Sequence, residues 1–179
     1  MLISAGPITM ARPGWGLKEN TITAVVSNGS DGYPEVLCAQ MLIGAAASGV
    51  RVLALLPGLR TDEPTWAAIG RMLGGGEPRS VARELRSMPL ITYASGTGHE
   101  HVGKAGLVYA PGLRSDELER LLGNTSAPVL TLTDLDSETA LRRAGEVLRV
   151  DGDRIVIDSE GFEVSVTYDP DGPLYRVAE

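Results

Sequence analysis

The chain has 179 residues, 43% hydrophobic and 22% charged, a balance that suits one folded domain with a sizeable core and excludes a disordered segment. Its formal net charge of −7, with Arg scattered in singles and pairs, lacks the clustered basic surface on which phosphate-backbone binding runs, so no nucleic acid partner is expected. Cys38 is the sole cysteine, which excludes an intramolecular disulfide and a cysteine-based zinc cluster.

The opening "MLISAGPITMARPGWG" has neither the basic n-region nor the continuous apolar core of a signal peptide. The longest apolar stretches, around 36–47 and 52–57, are too short or too interrupted to span a bilayer, so a soluble, cytoplasmic protein with no membrane partner is expected. Residues 1–20 are rich in Gly and Pro and read as an extended N-terminal arm that Trp15 anchors on the body. "TITAVVS" (21–27) is apolar on both faces and β-branched, as a buried central strand requires. The turn residues "NGSDGYP" follow, and then "EVLCAQMLIGAAASG" (35–49) carries a helical apolar face ended by Gly49. "VRVLALLPG" (50–58) returns as a second buried strand, which completes a β-α-β unit.

The alternation continues. Helices are predicted over 63–73 and 79–87, broken by "GGGEP", and short strands over "LITYAS" (90–95) and "AGLVYAP" (105–111). "RSDELERLLG" (114–123) has Ser115 and two early acids at its start and Gly123 at its end, the marks of a helix. A strand over "APVLTLTD" (127–134) and a helix over 137–145 follow. From Val147 the grammar changes to four short alternating strands joined by D-G, S-E-G and D-P-D-G turns, an antiparallel meander. The expected architecture is α/β: a Rossmann-like open, mostly parallel sheet flanked by helices (21–146), with a C-terminal antiparallel β-ribbon (147–179) packed on the same domain.

Gly98 to Lys104 spells G-x-x-x-x-G-K, seven of the eight positions of a phosphate-binding loop. That chemistry needs a helix after the glycines, with amides aimed at the anion. Here "AGLVYAP" follows, a strand pattern, and Ala105 stands where a magnesium-holding hydroxyl is required. The nucleotide-triphosphate reading therefore fails. His99 and His101 form an H-x-H pair, which on a strand shares one face, but a zinc site would still need a third ligand, such as Asp31, Asp134 or Asp136 from another strand end, and no metal set is assigned. Either histidine suits general acid/base work near neutral pH. Cys38 lies within the first long helix, where burial is the favoured reading. The spelling G-x-S-x-G is absent, so a serine hydrolase is unsupported.

The loop "SNGSDGYP" (27–34) occupies a more productive address, between a central strand and a helix start, where backbone amides favour an anion. Ligands of open parallel sheets gather at the carboxyl ends of the strands. By that rule the candidate ligand-binding residues are Asn28, Gly29, Ser30, Asp31, Arg60, Thr97, Lys104 and Asp134. Turn formation alone also accounts for the residue types at 28–32.

Three stretches resemble known families. "TITAVVSNGSDGYPEVLCAQMLIGAAASGVRVLALLPGL" resembles the first β-α-β unit of the DsrE-like sulfur-relay family, and is similar to the opening of UDP-sugar transferases. "AGLVYAP…LERLLGNTSAPVLTLTD…AGEVLRVDGDRIVID" looks like the later half of YfiR-type regulators. Each resemblance implies an α/β fold and no particular site residue. The functional expectation is a protein that binds a small anionic molecule at the strand ends, with no cofactor named by any motif. Two rivals stand beside it: a non-catalytic regulatory or assembly subunit, homo-oligomeric through the arm (Trp15) or the ribbon, and an enzyme working through His99 or His101.

Overall fold

The computed structural model describes residues 3, 6–27, 34–55, 91–94, 102–111, 115–133, 144–168 and 175–178. A nine-stranded sheet organises them, and its strands are β1 (Ile22–Ser27), β2 (Val52–Leu55), β3 (Ile91–Ala94), β4 (Leu107–Tyr109), β5 (Val129–Thr133), β6 (Glu146–Asp151), β7 (Arg154–Ile157), β8 (Phe162–Tyr168) and β9 (Tyr175–Val177). Their spatial order is β3-β2-β4-β5-β1-β6-β7-β8-β9. Every pairing from β3 to β6 is parallel, and those from β6 to β9 are antiparallel. This is the expected mostly parallel α/β sheet with an antiparallel continuation. Helices expected over 63–73 and 79–87, and most of that over 137–145, lie outside the described residues.

Alternate residues of each strand serve opposite faces. On one face Val25, Val52, Ala54, Leu107, Leu130 and Leu148 share a core with Leu37, Cys38, Met41 and Ala45 of helix α2 (Pro34–Ala47); helix α1 is the short turn Pro7–Ala11 in the arm. On the other face Ile22, Leu53, Leu55, Val108 and Val129 pack on Leu118 and Leu121 of α3 (Ser115–Asn124). Cys38 is buried, as its helical position leads one to expect. Beyond α2 the chain turns at Gly49, with φ of 87°. There Gly49 N–H donates to Ala46 C=O and Val50 N–H to Ala45 C=O, both at 3.0 Å, the two bonds that close a helix before a strand.

Two features depart from expectation. The meander boundary at Val147 falls inside β6, which pairs parallel with β1 on one side and antiparallel with β7 on the other. The ribbon therefore continues the sheet instead of packing on it, because Leu148 and Val150 bury against the same core as Val25. The arm does not run extended either. Ile3 and Leu17 form an antiparallel bridge, with hydrogen bonds of 3.1 and 2.9 Å, and α1 lies between them. Ile8, Trp15 and Leu17 give the reason: they are buried in the core that also holds Ile155, Ile157, Val164 and Val166 of the ribbon.

Candidate functional site at the carboxyl rim of the parallel strands

Six parallel strands point the same way, so Ser27, Leu55, Ala94, Tyr109, Thr133 and Asp151 end on one rim of the sheet. At its centre the register places Val26 opposite both Thr133 and Arg149, and Ser27 opposite Val150. The loops that leave this rim are the ones the sequence singles out. Asn28, Gly29, Ser30 and Asp31 follow β1, Arg60 follows β2, Thr97 and His99 follow β3, and Asp134 follows β5. Those eight residues and His101 lie outside the described residues, so each is assigned to a strand end by chain position alone.

The rim between β4 and β5 is pinned by a buried hydroxyl. Ala110 N–H donates to Leu130 C=O at 2.8 Å. The Thr131 hydroxyl, itself buried, donates back to Ala110 C=O at 2.8 Å. Both backbone polar groups of Ala110 are thus satisfied by β5, and the loop towards α3 departs from a fixed point. Thr131 escapes a reading of the sequence, because "VLTLT" looks like ordinary strand propensity.

At the ribbon end the rim is acidic. Asp151 accepts from the Gly152 amide at 3.0 Å and from Arg154 at 3.2 Å. Arg154 also faces Asp153 at 3.6 Å and Glu163 at 3.8 Å. One guanidinium among three carboxylates leaves this end net negative, so an anion on the rim is favoured towards β1, β5 and β4.

Lys104 sits elsewhere. It is exposed in a turn closed by the Ala105 amide on Val102 C=O at 3.3 Å. Gly106 and Leu107 amides then both donate to Arg51 C=O, at 2.8 and 3.1 Å, where β2 and β4 begin. This is the amino rim. The chain leaves the carboxyl rim at Ala94 and is back at the opposite rim by Val102, so β4, about 10 Å long, separates Lys104 from the strand ends. Its placement beside the 27–32 loop is corrected accordingly. The strand β4 after Lys104 also confirms that no phosphate-cradling helix follows the G-x-x-x-x-G-K spelling.

In the arm and the ribbon, expected as oligomer surfaces, Ile8, Trp15 and Leu17 share a core with Ile155, Ile157, Val164 and Val166, while Met10 of the arm is exposed. Among the described residues no group of three or more His, Cys, Asp or Glu is placed to hold a metal ion, and no helix is long and apolar enough to cross a membrane.

No family model matches the chain, and no curated protein matches it. Among solved structures it is similar to the flagellar accessory protein FlaH from Methanocaldococcus jannaschii, with a TM-score of 0.63 over 99% of this chain and 100% of that one. Identity is 14%, so the likeness is one of fold alone, a mostly parallel α/β sheet.

Proposed function

We propose that the protein binds a small anionic molecule at the carboxyl rim of its parallel strands, over the junction between β1 and α2. The observation that carries the reading is topological: the central strand of a parallel sheet runs through the loop 28–33 into a long helix, and the loops after β2, β3, β4 and β5 leave from the same rim. Ligands of such sheets collect there. Asn28, Ser30 and the amides near Gly29 meet the anion, with Thr97 and Asp134 reaching in from the loops after β3 and β5. "NGSDGY" contains no Lys or Arg and Pro34 has no amide hydrogen, so a cation from another loop is needed. With Lys104 on the amino rim, Arg60 fills that role, and Arg114 leaves the rim after β4.

Thermal-shift and calorimetric titrations with inorganic phosphate, pyrophosphate and ATP test the reading. Saturable stabilisation by one of the three is expected, and Ser30→Ala should weaken it. Absence of saturable binding by all three at millimolar concentration would sink it.

A further inference from the structure

The segment Gly6–Leu17 is a closed piece of chain laid across the ribbon. Its helix α1 packs on β8 and β9. Further along, Arg12 is ion-paired with Glu160 and its guanidinium stacks over the Phe162 ring at 5.0 Å from the centroid. The bridge to Ile3 at Leu17 ends the segment, and only Lys18, Glu19 and Asn20, all exposed, join it to Thr21 and β1. Its apolar side chains Ile8, Trp15 and Leu17 share a core with Ile155, Ile157, Val164 and Val166.

One group opposes closure. The Trp15 indole Nε1–H is buried with no hydrogen-bond partner among the described residues. An unpaired donor under a cover is satisfied by water as soon as the cover lifts, so opening recovers part of the apolar area it exposes. The connector is tied elsewhere: Asn20 adopts a left-handed φ of 55°, and its amide donates to Ser126 C=O at 2.9 Å, just before β5. On the face packed by α3 the parallel layer has a core that contains none of the segment's residues, whereas on the α2 face Ile8, Trp15 and Leu17 belong to one core with Val25, Leu37 and Met41.

We infer that residues 6–17 form a displaceable strap, latched by Arg12, that opens from the apolar face of β7 and β8 while the parallel sheet stays folded. Such a strap is a conformational device: it keeps an apolar sheet face hidden until it lifts, and a contact that competes for Arg12 or Glu160 shifts the balance towards the open form.

The chain's own thiol makes the test internal. Cys38, beneath α2, reports opening of the parallel layer, and a Val164→Cys substitution adds a thiol beneath the strap. Alkylation of each site is followed by mass spectrometry in native buffer. The thiol at position 164 is expected to react faster than Cys38, and Arg12→Ala to speed it roughly fivefold more while leaving Cys38 unchanged. Equal rates at the two sites, or equal acceleration of both by Arg12→Ala, would overturn the strap. Amide exchange on the unmodified protein is the second measurement. Leu17, whose amide closes the bridge, should exchange through a lower-energy opening than Val25 in β1. A common opening energy for both amides would also overturn it.

Discussion

Thr131 donates its buried hydroxyl hydrogen to the carbonyl oxygen of Ala110 at 2.8 Å, across the seam where β4 ends beside β5. The bond ties these two strand ends through a side chain, at the rim proposed to bind the ligand. Thr131→Val keeps shape and β propensity but leaves the Ala110 carbonyl without its hydroxyl donor. A loss of about 1–3 kcal/mol in urea unfolding is expected, with no change in the m-value. A neutral substitution would show that the seam is held by the backbone ladder alone.

Gly145 tests the close approach at the opposite rim. A Cβ there would stand 2.8 Å from Thr21 Cγ2, while Gly145 N–H donates to Ile22 C=O at 2.9 Å. Gly145→Ala is expected to cost about 1–3 kcal/mol, since the backbone bond holds the chain against the obstruction. Thr21→Ser removes the offending methyl and keeps the hydroxyl bonded to Glu19 C=O. The double variant should therefore recover most of the loss, a coupling that chemical denaturation of the four proteins reads directly.

What was legible before the structure follows from how local each signal is. "TITAVVS" and the helix ended by Gly49 declare the β-α-β unit because strand burial and a left-handed C-terminal turn are written in adjacent residues. The five-residue α1 is not legible, since its stability comes from Ile8 buried against a ribbon more than a hundred residues away. The partner of β6 is hidden for a different reason: the alternation of Leu148 and Val150 reads the same beside a parallel or an antiparallel neighbour. The rim loop 28–33 is legible from its address after a strand, whereas the rim of Lys104 depends on where the chain has gone between β3 and β4.

The joint at β6 has a measurable consequence. Leu148 is fully buried, opposite Val25 of β1 on one side and Ile157 of β7 on the other. If the ribbon were a separate layer, trimming this side chain would loosen the ribbon alone. Because β6 is shared, Leu148→Ala is expected to cost about 2–5 kcal/mol and to lower both halves in one transition. Calorimetry gives the answer: a single peak at reduced Tm supports the shared strand, and two resolved peaks contradict it.

Of the cations that the sequence offers to an anion, Lys104 lies at the amino rim, while Arg60 and Arg114 follow strand ends in the chain. Arg60 follows the carboxyl end of β2 in the chain, whereas Lys104 is exposed two residues before Gly106, whose amide donates to the Arg51 carbonyl at the amino rim. Charge acting through about 10 Å of solvated surface is screened to a small fraction of its contact value, since the Debye length at physiological salt is about 8 Å. Removing Lys104 therefore leaves binding at the carboxyl rim nearly unchanged, and removing a cation that touches the anion costs about 1.5–3 kcal/mol, or roughly tenfold to a hundredfold in Kd. Lys104→Ala and Arg60→Ala are compared by titration with whichever of phosphate, pyrophosphate or ATP the unmodified protein binds. Weakening by Arg60→Ala alone places the anion over the β1–α2 junction. Weakening by Lys104→Ala alone would move the site to the amino rim and would refute the carboxyl-rim reading.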